Sequence, residues 1–443
     1  MTKIIEKPRE NLGAQTGDAG APPAAAARQG GGHDHLRPRT QVLTRGFDPR
    51  LSVGSARPAV FRSSTYVFSS PEAAERAFAL SSGRAQPAPG EQAELIYSRL
   101  NHPNAEILED QVVPLEAGAT GALVFNSGMA AITTALLAFA KPAQTIIYTV
   151  PIYGGTQHFI QDFLAPLGVR QRAVPAGDTA ALTQAIAEAE DLAVVLVETP
   201  ANPTLVMTDI HAAAAAASQR QPRPVLMVDN TLLGPTFQHP LPCGTDLCLY
   251  SATKYLSGFS DLIGGMAIAA RPELIPPMRG LRTLLGNILQ PDECWILDGH
   301  LPTVHLRMTR ACENAQVIAQ ALARHPAVAK VNYPTLFRSP DQVKIYRAQC
   351  DAPGAMISFE ARGGKAAAFD FLRALRLGRD AVSLGGVETL ACHPMTTTHS
   401  GFTPEQFAAA GVTDGLVRLS IGIEDAADLQ ADFEQALDRI GAR

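Results

Sequence analysis

Leu247-Cys248-Leu249-Tyr250-Ser251-Ala252-Thr253-Lys254-Tyr255 is an apolar run that stops on hydroxyl residues and a lysine. Upstream lies a run of the same kind, Val225-Leu226-Met227-Val228-Asp229, which stops on an aspartate. Short runs that are apolar at every position need cover on both faces, so they predict central strands of a mainly parallel sheet rather than the alternation of a half-exposed one. Both runs end in polar groups, which puts chemistry at the carboxyl ends of the strands, where open α/β sheets bind their ligands.

Working outward, residues 122–125, 145–148, 194–198 and 265–269 read as further strands, and residues 130–139 and 180–189 carry helical spacing. Strands alternating with helices over residues 97–275 predict a large α/β domain. From residue 276 a helix-rich stretch leads into a different pattern. In residues 416–423, Val417, Leu419, Ile421 and Ile423 share one face and leave Arg418 and Ser420 on the other. This predicts a half-buried strand in a smaller C-terminal α+β domain, residues 276–443. A closing helix is expected with Asp425 as N-cap and with Leu429, Phe433, Leu437 and Ile440 on one stripe.

Before the α/β pattern, residues 41–96 read as an irregular N-terminal arm making inter-subunit contacts, with a short strand-like Thr65-Tyr66-Val67-Phe68. Residues 1–40, a Gly, Ala and Pro mixture, read as a disordered tail. His33 and His35 within it read as solvated, and no metal site is expected. The 443 residues are 46% hydrophobic and 18% charged, ample for a large folded body. A net charge of −5 without basic runs argues against nucleic acid as a partner. No apolar stretch reaches the roughly 18 residues of a membrane span. Six cysteines, too sparse for a disulfide scaffold, suit a reducing compartment, and the protein is read as cytoplasmic.

Three elements carry chemistry. Desolvation of a lysine at the exit of a central strand lowers its pKa and makes the amine nucleophilic, as a Schiff-base lysine requires, and Lys254 has that position. Asp229 ends a buried strand without an evident partner in sequence, and an aspartate beside a pyridinium nitrogen keeps that nitrogen protonated. Asn126-Ser127-Gly128-Met129 lies between a strand and a helix, either a tight turn or an anion site made of free N–H groups suited to a phosphate. No Gly-x-Gly-x-x-Gly follows a strand, which disfavours a nicotinamide dehydrogenase.

With these residues in view, the chain resembles the cystathionine γ-synthase group of pyridoxal 5′-phosphate (PLP) enzymes, also called the Cys/Met-metabolism family, and is methionine γ-lyase-like. The resemblance rests on Tyr97-Ser98-Arg99, Ser127-Gly128-Met129-Ala130-Ala131, Ile152-Tyr153-Gly154-Gly155-Thr156, Glu198-Thr199-Pro200-Ala201-Asn202-Pro203-Thr204, Val228-Asp229-Asn230-Thr231 and Ser251-Ala252-Thr253-Lys254-Tyr255. Ser383-Leu384-Gly385-Gly386, His393-Pro394, Thr398-His399-Ser400 and Leu416-Val417-Arg418-Leu419-Ser420 extend it over roughly residues 45–443.

The resemblance implies the aspartate aminotransferase-like fold of PLP-dependent transferases, fold type I, and PLP as cofactor. It implies that Lys254 holds the cofactor as an internal aldimine and then shuttles protons, that Asp229 pairs with the pyridine nitrogen, and that Tyr153 stacks on the ring. Ser127, Gly128, Met129, Ser251 and Thr253 would bind the phosphate, and Asn202 would reach the ring hydroxyl. Tyr97 and Arg99 would reach the phosphate of a neighbouring subunit, so the active unit is expected to be a homo-oligomer, at least a dimer and by extension a tetramer. Arg418 would clamp the substrate carboxylate with help from Ser383.

The implied reaction is γ-elimination or γ-replacement on a γ-substituted L-amino acid, through a vinylogous quinonoid. Methionine-, homocysteine- and cystathionine-like substrates, O-acylhomoserines and canavanine are the candidates. Cystathionine β-lyase, cystathionine γ-synthase or O-acylhomoserine sulfhydrylase activity is the alternative. Four departures bear on specificity. Asn101-His102-Pro103-Asn104 stands where the group often has Gly-Asn-Pro-Thr, and Arg282-Thr283 where methionine γ-lyases have Lys-Asp. Gly155 stands where those enzymes have a cysteine, which is expected to leave room for a bulkier leaving group that His393, His399 or Arg282 would hydrogen-bond. Val382 replaces a glutamate of cystathionine-handling enzymes, so its site is expected to hold a distal ammonium poorly.

Overall fold

The computed structural model describes residues 36–89, 91 and 94–440; His33 and His35 lie outside them. Seven strands form one sheet: β1 (Gly121–Phe125), β2 (Thr145–Val150), β3 (Arg170–Pro175), β4 (Leu192–Glu198), β5 (Val225–Asp229), β6 (Leu247–Ser251) and β7 (Gly265–Ala269). Their spatial order is β1-β7-β6-β5-β4-β2-β3. Pairings from β6 across to β3 are parallel, whereas β7 runs antiparallel to both β6 and β1. The chain between β6 and β7 is spent on the turn that carries Lys254 and contains no crossover helix, so β7 returns directly alongside β6.

Two apolar clusters sandwich this sheet, as its all-buried strands require. One joins β1, β2 and β6 to the helix Gly128–Phe139, and the other packs the helices Thr179–Glu188 and Ile210–Ser218 on β2, β4 and β5. Strand β3 carries no sequence signal because it is an edge strand whose only buried residue is Val174.

A second sheet of β8 (Val328–Asn332), β9 (Met356–Ala361), β10 (Arg379–Asp380), β11 (Leu390–Cys392) and β12 (Leu416–Ser420) has the order β10-β11-β12-β9-β8. The expectation of a half-buried β12 is corrected: all five of its residues are buried, Arg418 and Ser420 included. The alternation is real, but the polar face of β12 is covered by the first sheet's loops rather than by water, through Arg418 to Asn202. Ile423 lies past the strand and is exposed. The closing helix is Ala426–Leu437, with the Asp425 carboxylate accepting from the Ala427 N–H and with Leu429, Phe433 and Leu437 buried.

The arm contains more structure than its sequence suggested. A helix, Pro71–Ser81, starts at Ser70, whose hydroxyl caps the Ala73 N–H; it buries only Ala77 and so shows no usable period. Residues 65–68 make a single bridge, Thr65 to Tyr97, instead of a strand. Within the stretch expected to be tail, a helix begins at Pro38 and runs to Thr44. Its Val42 is buried, and the Val42 carbonyl accepts from the Gln111 side chain at 2.8 Å. Asn104 fastens the arm to the body, its Oδ1 accepting from the Phe61 N–H and its Nδ2 donating to the Ala59 carbonyl. Farther along, Trp295 Nε1 donates to the Pro58 carbonyl, and Arg57 lies 3.9 Å over the indole ring. Among the described residues no helix is long and apolar enough to cross a membrane.

Candidate active site

The site is assembled at the carboxyl ends of β1, β4, β5 and β6. Ser127 caps the helix Gly128–Phe139, its hydroxyl accepting from the Ala130 N–H at 3.0 Å. The first turn of a helix has N–H groups without intrahelical partners, and here they open beside the end of β6. Close approach makes this possible. A Cβ at Gly128 would lie 2.9 Å from Ser251 Cβ, and one at Gly265 would lie 1.9 Å from the Ser127 carbonyl oxygen. Only glycine at both positions lets the turn, β6 and β7 converge into an anion cradle. The Thr253 hydroxyl, by contrast, is engaged with Gly264, donating to its carbonyl and accepting from its N–H.

Lys254 follows Ser251 in the turn, and its Nζ donates to Ser383 Oγ at 2.9 Å. Burial, and after it the charge of Arg418, pushes its pKa below the usual lysine value, which favours a neutral nucleophilic amine. Asp229 has a partner that the sequence did not reveal. Thr231 donates both its N–H and its hydroxyl to Asp229 Oδ1, at 3.1 and 2.6 Å, which leaves Oδ2 for another donor. Burial raises the Asp229 pKa against those two bonds, a cost that a cationic partner would offset.

Arg418 is almost fully enclosed. Its Nη1 donates to Asn202 Oδ1 at 3.1 Å, and its Nη2 to the carbonyls of Val382 and Ser383 at 2.7 and 3.1 Å. Its Nε is buried without a hydrogen-bond partner, so the guanidinium is held with donor capacity to spare. Val382 contributes its backbone to this clamp while its side chain is 57% exposed. Tyr153 begins the short helix Gly154–His158 with its ring about half exposed.

The room expected at Gly155 is already taken: a Cβ there would lie 2.7 Å from Tyr153 Cε1 and 3.0 Å from Met129 Sδ. Arg282 is not available to a leaving group either. It is buried, with Nη1 donating to Glu109 and to the Val124 carbonyl. His393 is satisfied on both nitrogens, by Thr396 Oγ1 and the Asp414 carbonyl. His399 is buried, and burial followed by the Arg418 charge pushes its imidazole down to about 4. Within the chain Arg99 donates to the Thr283 carbonyl at 2.8 Å. No hydrogen bond among the described residues joins Tyr97 or Arg99 to Lys254, Ser251 or the Ser127 turn.

One carboxylate at the site escaped the sequence reading of individual residues. Glu198 ends β4 in register with Asp229 on β5, is buried, and accepts from the N–H groups of Tyr153 and Asn202 at 2.8 and 2.9 Å. Its signal was there, an apolar strand ending on an acid as β5 does. The cradle of small residues, a depressed lysine, an aspartate with a spare oxygen and a buried guanidinium together fit a phosphate-bearing pyridine aldehyde and an amino acid.

The family model for "Cys/Met metabolism PLP-dependent enzyme" matches residues 39–438. The chain belongs to this family. PLP is its cofactor, and its fold is that of solved cystathionine gamma synthases and lyases. The L-methionine gamma-lyase of Pseudomonas putida is 40% identical over 400 residues, 90% of this chain and 96% of that protein. The cystathionine gamma-lyase of Sus scrofa is 38% identical over 352 residues, 80% of this chain and 85% of that one. Among solved structures, the cystathionine gamma synthase of Xanthomonas oryzae pv. oryzae in complex with cystathionine has a TM-score of 0.83 and 33% identity, covering 92% of this chain and 99% of that one.

Proposed function

We propose that the enzyme removes or replaces the γ-substituent of an L-amino acid, a sulfur amino acid or an O-substituted homoserine, with Lys254 as its proton-moving group. The observation that carries this reading is the linkage through Ser383: Lys254 Nζ donates to its hydroxyl, and Arg418 Nη2 donates to its carbonyl. An amino acid whose carboxylate meets Arg418 thereby presents Cα to Lys254 Nζ.

Bound PLP supplies the electron sink for negative charge at Cα. The Lys254 amine, whose deprotonated form burial favours, takes the proton from Cα, hands it on to the bound cofactor and is then free to take one from Cβ, which frees the group on Cγ to leave. Asp229, with Oδ2 free of Thr231, would hold the pyridine nitrogen in its protonated form, Ser251 and the N–H groups of Gly128 and Met129 would bind the phosphate, and Tyr153 would cover the ring. Asn202 and Arg418 fix the substrate's orientation. Water then yields ammonia and a 2-oxo acid, or a nucleophile adds at Cγ. The exposed apolar Val382 favours a short or uncharged γ-substituent over cystathionine.

The active unit in this reading is a homo-oligomer, at least a dimer, in which Tyr97 and Arg99 cross to the neighbouring cofactor. Support comes from the arm, where Val53 and Val67 are exposed, and from Arg99, whose one side-chain hydrogen bond among the described residues is to the Thr283 carbonyl. Its six free cysteines suit the cytoplasm. The test is to incubate the holoenzyme with methionine, cystathionine, an O-acylhomoserine and canavanine and to identify the oxo acid by mass. 2-Oxobutyrate from at least one of them is expected; pyruvate alone would replace this reading with β-elimination.

A further inference from the structure

Two loops carry the residues that must be aligned across the site. The first leaves β2 and delivers Tyr153; the second leaves β4 and delivers Asn202, whose amide oxygen receives Arg418 Nη1. Neither loop is held by sheet hydrogen bonds at these positions. Instead both backbones converge on Glu198: Oε2 accepts the Tyr153 N–H at 2.8 Å, and Oε1 accepts the Asn202 N–H at 2.9 Å. The backbone of Glu198 is itself anchored, since its N–H donates to Thr149 Oγ1 at 3.2 Å. We propose that Glu198 is a positioning residue that sets the spacing between the ring-covering Tyr153 and the carboxylate-clamping Asn202–Arg418 pair by bridging their two backbones.

This proposal rests on the functional reading above and deepens it. A buried carboxylate beside Asp229 is electrostatically costly: burial and the Asp229 charge raise the Glu198 pKa to about 8, while the two N–H bonds and Arg418 pull the other way. Such a cost is tolerated where both oxygens are used as acceptors, which is the geometry seen. A glutamine at this position keeps one acceptor oxygen and turns an NH2 donor toward the other backbone N–H, so one of the two loops loses its anchor. An aspartate keeps the carboxyl group but is one methylene too short to span both.

The experiment compares wild-type, Glu198→Gln and Glu198→Asp proteins by three readouts. These are PLP titration of the apoenzyme, hydrogen–deuterium exchange of the peptides containing Tyr153 and Asn202, and KM and kcat across pH. Both variants are expected to exchange faster in those peptides, to bind PLP about tenfold more weakly and to raise substrate KM about tenfold. The kcat profile against pH keeps its shape, because Lys254 still sets it. If Glu198→Gln does not fold, the carboxyl-retaining Glu198→Asp is read by the same three measurements. Unchanged exchange, PLP affinity and KM, or a loss confined to kcat with a missing pH limb, would overturn the proposal, the latter by making Glu198 a proton-transfer group. A wild-type enzyme that binds PLP but turns over none of the four amino acids would instead overturn the functional reading and leave the exchange and PLP-affinity results to decide the role of Glu198.

Discussion

At the ends of β4, β5 and β6 the chain supplies its own partners: Glu198 accepts two backbone N–H groups, Thr231 holds Asp229, and Ser383 joins Lys254 to Arg418. The arm does the reverse. Val53 and Val67 are 103% and 97% exposed, and among the described residues the Arg99 side chain makes one hydrogen bond, to the Thr283 carbonyl, besides lying over the Tyr97 ring. Apolar surface of that size in an ordered segment costs free energy unless something covers it. The floor of the site is therefore linked within one chain, while the arm leaves two apolar side chains open, the feature on which the proposed subunit contact rests.

The sharpest way to test the self-sufficient half is Lys254→Ala. Turnover should fall by on the order of 10³-fold or more, the scale of losing a general base and nucleophile together. Borohydride reduction followed by peptide mass spectrometry should find the cofactor on the peptide containing Lys254 in the wild type. Attachment at another lysine would break the assignment.

The arm is tested by Arg99→Ala, which should weaken PLP retention about tenfold by leaving phosphate charge uncompensated. At limiting PLP, mixing Arg99→Ala with the inactive Lys254→Ala protein should give more activity than Arg99→Ala alone, because some mixed dimers hold one intact site. Verified subunit exchange with no recovery would mean that Arg99 acts within its own chain, and the contrast between the two regions would fail.

A third measurement addresses the helix that follows the arm. His102 caps the helix Pro103–Val112 with Nδ1 accepting from the Ala105 N–H, while Nε2 donates to the Leu289 carbonyl, so only the neutral ring fits. Burial lowers its pKa; Glu109 and Arg282 nearby act in opposite directions. The unfolded chain therefore takes up a proton that the folded chain refuses. Stability is complete above the ordinary histidine value of about 6.5 and is lost as pH falls from there toward the depressed folded value. His102→Asn, which caps without titrating, should flatten this acid decline in Tm. An equally steep decline in the variant would assign it to other groups.

The smallest effect is expected at Val382. Val382→Glu should improve kcat/KM for cystathionine relative to methionine by at most about fivefold, since so exposed a carboxylate is well screened. A much larger gain would mean that the position is enclosed when substrate binds.

What could be read in the sequence follows the same division. Strands β5, β6 and β7 have the boundaries their apolar runs predicted, because complete burial leaves a complete apolar signal. Strand β3 and the helix Pro71–Ser81 bury one residue each and left nothing to read. At the site, Lys254 and Asp229 stood out as charges ending apolar strands. Glu198 ends β4 in the same way, but its two partners are backbone groups from separate loops, and no side-chain pattern reports those. The crowding of Gly155 by Tyr153 was equally hidden, since it depends on where a ring two residues away comes to rest.

Trp295 is the only tryptophan in the chain, and it is clasped by the arm: its indole N–H donates to Pro58, and the Arg57 guanidinium lies over its face. Emission from this one indole therefore comes from a single place, the seam where the arm meets the body. Detachment of the arm would wet the ring and shift its fluorescence to the red while the sheets remain intact, so the molecule carries an optical gauge of arm docking that needs no added label.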